Sequence, residues 1–228
     1  MFKGRHFDKS VILLCVRGYL VYNLSLRNVK EMMAERGIDL DHSTVHRWVI
    51  CFSPKLPECF NRKKRQVTRK WNLDETYIKV KGEWLYLYRA IDSNGDTVEF
   101  YFSKHRDLTA AERFIRKALA RHGRPVRIAI DGSETNRIAI VQCDAESRLS
   151  QTGKPIAIRC SEYMNNTIER DHRRIKRRTR SMLGFKSETA AGITLAGIEL
   201  IHMMRKQQCI FEYQKALSIK QQFEVLAA

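Results

Sequence analysis

Between Trp71 and Ser103 the chain carries three runs of β-forming residues separated by tight turns, and this stretch restricts the fold more than any other. Trp71–Val80 (WNLDETYIKV) and Trp84–Ile91 (WLYLYRAI) are each long enough for a full strand. The turn Asp92–Asp96 (DSNGD) follows, and its Asn94-Gly95 pair supplies the backbone angles of a tight hairpin before Thr97–Ser103 (TVEFYFS). Three consecutive antiparallel strands are predicted. Over Asp107–His122 the period changes, with Leu108, Ala111, Phe114, Ile115, Ala118 and Leu119 at helical spacing and Gly123 and Pro125 ending the pattern. Val126–Ile130 (VRIAI) then reads as a buried strand that stops on Asp131.

Strand-strand-strand-helix-strand is the order of a ribonuclease-H-like α/β domain, and open α/β sheets bind ligands at their strand ends. Three acids stand at suitable places. Asp74 interrupts the first strand among Trp71, Leu73, Tyr77 and Ile78; Asp131 closes the buried strand before Gly132; Glu169 lies in the segment NNTIERDHR, at the start of a charged helix. Singly, each has an ordinary explanation as a surface, turn or helix-face residue. At these element positions they form a constellation. Asp92 and Asp96 are accounted for by the turn, and Glu75 is expected on the opposite strand face from Asp74. Asp171 is expected about 200° around a helix from Glu169. These four are set aside, and Asp144 stands as the alternative to Asp131.

Charge indicates what such acids could serve. The chain has 42 Lys and Arg against 25 Asp and Glu, a formal net charge of +17, which favours a polyanionic partner. The excess is +9 over residues 1–70, +2 over 71–158 and +6 over 159–228. Carboxylates repel phosphate unless a cation lies between them, so a near-neutral middle between basic flanks fits a metal-dependent nucleic-acid enzyme better than a binding module. Oxygen ligands of this kind suit Mg²⁺ or Mn²⁺, and two such ions can serve an in-line displacement at phosphorus. The longest apolar run, Val11–Val16, is far too short to span a bilayer, and neither signal peptide nor anchor is expected. The six scattered cysteines read as reduced thiols, which points to the cytoplasm.

The first third predicts three helices. Val11, Leu14, Cys15, Tyr19 and Tyr22 mark the first; Ser25 caps the second, with Leu26, Val29 and Met33 on one face; Asp41 or Ser43 caps the third, which buries Val45, Trp48, Val49 and Phe52. Ser43, His46 and Arg47 are left outward, as in a helix-turn-helix whose last helix enters the major groove; an ordinary three-helix bundle is the alternative. Zinc on His42, His46, Cys51 and Cys59 is disfavoured by the wide cysteine spacing. Asn61–Lys70 (NRKKRQVTRK) follows Pro54 and Pro57 and is expected as a basic linker, with Lys63, Lys64 and Arg65 along the phosphate backbone.

The stretches WNLDETYIKVKGEWLYLYRAIDSNG, YMNNTIERDHRRIKRRTRSMLGFKS and AGITLAGIELIHMMRK resemble the DDE transposases of small bacterial insertion sequences, most closely the family called IS six. The resemblance runs from the first helix to about Lys206. It implies a helix-turn-helix domain (1–60), a basic linker (61–70), a ribonuclease-H-like, retroviral-integrase-like catalytic domain (71–208) and a helical tail (209–228). It implies that Asp74, Asp131 and Glu169 are the catalytic, metal-binding acids, with two divalent ions. Lys176, seven residues after Glu169 on the same helix face, matches a basic residue that contacts DNA, and Arg173 and Arg177 on the helix Arg170–Arg180 are expected to hold the backbone.

The segment between Asp131 and Glu169 is longer than usual for the family, and a surface loop within Glu146–Pro155 is expected to absorb the excess. Beyond Gln208, Phe211, Ala216, Ile219, Phe223 and Leu226 suggest a closing helix or a partner contact. The implied function is Mg²⁺-dependent cleavage at terminal inverted repeats and strand transfer into target DNA. The implied assembly is a homodimer or higher oligomer, acting by a replicative cointegrate route in the bacterial cytoplasm, on the nucleoid. A helix-turn-helix regulator without catalysis and a nuclease without strand transfer are the alternatives.

Overall fold

The structure is a computed structural model that describes residues 6–150, 153–160, 166–182, 184–210 and 217–227. It divides into two compact units: Gln66–Lys176, and Met1–Arg65 together with Arg177–Ala228.

The first unit is built on a five-stranded sheet in the order β3-β2-β1-β4-β5. β1 (Lys70–Val80) and β2 (Glu83–Asp92) pair antiparallel from Trp71↔Asp92 to Val80↔Glu83. Their turn is Lys81-Gly82, both at positive φ, which matches the right-handed twist of the flanking strands. β3 (Thr97–Ser103) continues the meander after Gly95 (φ 81°). Asp107 caps α5 (Leu108–His122), and Gly123 (φ 73°) ends it. β4 (Arg127–Ile130) then lies parallel to β1, and β5 (Ala157–Cys160) parallel to β4. α5 and α6 (Glu134–Ser150) share one core with the sheet, in which Trp71, Leu73, Tyr88, Phe114, Ile128 and Ile140 are buried.

Two elements depart from expectation. The expected loop within Glu146–Pro155 is shortened, because α6 runs through to Ser150; residues 151 and 152 lie outside the described ones. β5 is a four-residue, largely exposed edge strand, too short and too polar to carry a strand pattern.

The second unit is helical. Asp8 caps α1 (Lys9–Val21), Ser25 and Asn28 form a capping box on α2 (Leu26–Ala34), and Asp41 caps α3 (His42–Phe52). α4 (Lys55–Lys63) was not expected, given Pro54 and Pro57. Both prolines sit at the helix start, where the backbone N–H groups have no intrahelical acceptor to lose. Ile12, Val16, Leu20, Val29, Met33, Val49, Phe52, Leu56 and Phe60 are fully or almost fully buried.

α8 (Glu188–Arg205) packs with α1, α3 and α4, and α9 (Ile219–Leu226) packs with α1, α4 and α8. A Cβ on Gly197 of α8 would stand 2.8 Å from both methyls of Leu20, so any larger residue there would have to displace that buried side chain. By these contacts the chain is grouped differently from the expected 71–208 and 209–228 division. The helix AGITLAGIELIHMMRK joins the N-terminal helices rather than the sheet unit, because its apolar surface is matched by theirs. The expected linker 61–70 also begins inside α4. Its Arg65 N–H donates to the Gln208 carbonyl (2.9 Å), and its Lys63 carbonyl accepts from Ile210 (2.8 Å). In the tail, Phe223 and Leu226 are buried on α9, while Phe211 and Ala216 lie outside the described residues. No described helix is long and apolar enough to cross a membrane.

Candidate active site

The site follows from where β4 stops. β1 pairs with β4 only over Lys70–Asn72, in the register Asn72↔Ala129, so β1 continues without that neighbour. Two residues further along both strands are Asp74 and Asp131, side by side at the carboxyl end of β4. Gly132 (φ 96°) turns the chain away, and the Asp131 carboxylate accepts the Ser133 N–H at 3.1 Å, which fixes the turn. Carboxylate oxygens of Asp74, Glu75 and Asp131 all lie within 4.8 Å of one another.

Glu75 corrects the expectation that set it aside. Strand alternation does place it on the Tyr77 and Tyr88 side of β1, but its longer side chain reaches the open edge that β4 has left. Its side chain is 5% exposed; one oxygen faces the Arg106 guanidinium at 3.4 Å, and the other has no hydrogen-bond partner among the described residues. Burial raises its pKa above the ordinary value; Arg106 opposes the rise, and the neighbouring Asp74 and Asp131 add to it.

A buried network holds Asp74 from the other side. α7 (Asn166–Arg180) carries Asp171 and His172, and β2 carries Arg89, which is wholly buried. Arg89 ion-pairs with Asp171 at 2.7 Å and lies 3.3 Å from His172 Nδ1; His172 Nε2 lies 3.2 Å from Asp74 Oδ2. Arginine can only donate, so His172 Nδ1 is the acceptor and its proton sits on Nε2, which donates to Asp74. His172 thereby orients Asp74. Asp171, set aside from the sequence, is the anchor of this network. Arg89 and His172 were missed altogether: Arg89 stands inside an aromatic and aliphatic run, and its partners are more than eighty residues away.

Glu169 is exposed in the first turn of α7, one turn before His172, and its carboxylate does not join the 4.8 Å cluster. Lys176 is half-buried on the same helix, with Arg173 and Arg177 exposed. In the helical unit, Ser43, His46 and Arg47 are exposed on α3, as are Lys63 and Arg65 near the end of α4, with Lys64 half-buried. Asp144 is removed as an alternative to Asp131. It lies on α6, paired with Arg124 and with Arg148 (3.2 Å) and accepting the Ile156 N–H (3.1 Å), so its charge is used structurally.

Closely grouped carboxylates with an orphaned, buried oxygen suit a hard divalent cation, which takes oxygen ligands and would offset their repulsion. A family profile described as a DDE domain matches residues 68–208. The chain is 40% identical over 207 residues to a transposase for insertion sequence-like element IS431mec of Staphylococcus aureus (strain Mu50), covering 90% of this chain and 89% of that protein. It is 39% identical, with the same coverage, to the transposase for insertion sequence element IS257 in transposon Tn4003 of Staphylococcus aureus. Among solved structures, the catalytic core domain of BIV integrase is similar at 17% identity and a TM-score of 0.44, covering 63% of this chain and 88% of that one.

Proposed function

The chain belongs to the DDE transposases of the IS six family of insertion sequences, and on that premise we propose that Asp74, Asp131 and Glu169 are its catalytic acids. The reaction is phosphoryl transfer in two stages: water cleaves a strand at the element's end, and the freed 3′-hydroxyl then attacks a phosphodiester of target DNA, breaking its bond to the target strand's own 3′ oxygen, which leaves as a hydroxyl. The observation that carries the residue assignment is the parallel register of β1 and β4, which sets Asp74 beside Asp131 at an open strand end.

Asp74 and Asp131 would hold Mg²⁺ or Mn²⁺, two ions when Glu169 contributes. The bound cations would supply charge neutralisation at phosphorus and a more acidic attacking oxygen. Around them the chain's own groups do the positioning. His172 donates to Asp74 and fixes which oxygen faces the crevice. Arg89 fixes the tautomer of His172 and, through Asp171, the rotation of α7; that rotation sets the direction of Glu169 one turn earlier. Arg173, Lys176 and Arg177 on the same helix hold DNA phosphates, as do Lys63, Lys64 and Arg65.

Ser43, His46 and Arg47 on α3 read the terminal inverted repeats in the major groove. Two ends must be brought together for transfer, so the active form is a homodimer or larger assembly on DNA, acting on the nucleoid in the cytoplasm and leading to a cointegrate.

The test uses duplexes carrying the element's own ends with Mg²⁺. Asp74→Ala, Asp131→Ala and Glu169→Ala are each expected to abolish cleavage and joining while DNA binding persists. Full activity in any one variant removes that residue from the site, and cleavage without joining by the unaltered chain overturns the transposase reading. Arg47→Ala is expected to weaken binding to end DNA more than to unrelated DNA, checked by competition; equal losses would make it a phosphate contact.

A further inference from the structure

The β1–β2 hairpin has two unlike faces. On one, Thr76, Ile78, Val80, Leu85 and Leu87 are buried. On the other, the register pairs Glu75 with Tyr88, Tyr77 with Tyr86, and Lys79 with Trp84, so these six side chains follow one another along one side of the sheet. The core under α5 ends near Tyr88 and Tyr86, and beyond it the aromatic stripe comes into the open, with Tyr77 46% and Trp84 60% exposed. Tyr77 and Tyr86 are tilted against each other at 5.4 Å between ring centroids, and the Lys79 ammonium lies over the Trp84 ring at 5.9 Å. Lys79 and Lys81 are exposed here beside one acid, Glu83.

We propose that Tyr77, Trp84 and Tyr86, with Lys79, form a stacking ledge for unpaired bases of the DNA strand being cut. The inference rests on the reading of the acids as a phosphoryl-transfer site and extends that site along the strand. Lys79 lies four residues from Glu75 on the same side, about 14 Å at ordinary strand rise. The ledge is therefore within a few nucleotides of a phosphate held at the acids.

Flat rings flanked by a cation are the chemistry of single-strand binding: the rings take base faces of any sequence and the cation takes the backbone. A paired duplex keeps its base faces stacked inside and offers the rings nothing to stack on. A second protein copy is the competing occupant, but lysine is depleted from the cores of protein interfaces, whereas here it sits over the most exposed ring, Trp84. Charge complementarity favours the nucleic acid.

The test compares full-length protein on two DNAs by fluorescence anisotropy without divalent cation, so that binding is read apart from cleavage. One is an end duplex fully paired; the other has the same sequence with the strand frayed for four nucleotides beside the cleavage point. Trp84→Ala and Tyr77→Ala are each expected to weaken binding of the frayed DNA about tenfold with the paired duplex unchanged, and Trp84→Phe to retain most of the affinity. An equal loss on both DNAs, or no loss on either, overturns the proposal. So does a fall in oligomer mass of Trp84→Ala by sedimentation with the frayed-to-paired ratio unchanged, which assigns the ledge to a second copy. Failure of the catalytic reading would show separately, as cleavage that survives Asp74→Ala whatever this ratio is.

Discussion

Two regions of the sheet unit gather carboxylates, and they neutralise them in opposite ways. Beside α5, Glu99 is met by Lys117 at 3.1 Å, Arg121 at 2.7 Å and His122 at 4.0 Å. Asp144 is met by Arg124, Arg148 and a backbone N–H. Each is an acid with more than one partner, and buried charge persists when it is paired in this way. At the β1–β4 crevice, Glu75 faces the Arg106 guanidinium, itself 40% exposed, Asp74 meets one imidazole N–H from His172, and Asp131 accepts, among the described residues, only the Ser133 backbone N–H. The first arrangement is complete within the chain. The second is short of positive charge, which a bound cation would supply. The contrast separates acids whose charge is matched within the chain from those whose charge is not.

The largest expected effect falls on the paired side. Asp144→Ala strips two arginines and a backbone N–H of their acceptor, and unfolding in urea is expected to show a loss of about 3–5 kcal/mol. A loss near zero would mean that the pairing is incidental. On the unpaired side, Asp131→Asn keeps the size and removes the charge. Strand cleavage is expected to fall by more than about a hundredfold with stability unchanged or raised. A variant that unfolds but still cleaves would reverse the contrast.

Arg89→Lys tests the link between α7 and the sheet. A lysine keeps the charge but cannot span Asp171 and His172 with a planar fork, so kcat is expected to fall about 10–100-fold with little change in KM for DNA. A change confined to KM would make Arg89 part of DNA binding instead. Glu75→Gln should have the smallest effect. Because burial raises the Glu75 pKa, the folded chain favours its protonated form, so without metal stability falls as pH rises above the ordinary carboxylate range. Thermal melting in chelator is expected to show a higher Tm for Glu75→Gln at neutral pH and none of that benefit in acid. An unchanged melting curve at both pH values would mean that the crevice bears no uncompensated charge.

Much of the fold and part of the site are legible in the amino-acid sequence. β1, β2, β3 and α5 follow from alternation, the Asn94-Gly95 turn and the helical period, because each carries its own pattern. Asp74 and Asp131 are legible because an acid amid apolar strand residues, or closing a buried strand, breaks the pattern around it. What stays hidden depends on distant partners or on brevity. Arg89 looks like an interruption in an apolar run, since its justification lies on α7. Glu75 is misjudged because alternation describes Cβ directions and not how far a glutamate reaches past a strand that has ended. α8 is grouped with the sheet by its position in the chain, whereas the Leu20 contact at Gly197 shows which surface it fits.

The most direct measurement is Mn²⁺ binding by electron paramagnetic resonance on full-length protein with an end duplex, comparing the unaltered chain with Asp74→Asn, Asp131→Asn and Asp144→Asn. Binding that is lost in the first two variants and kept in the folded fraction of the third is expected if the crevice is the metal centre. Equal binding in all four would contradict it.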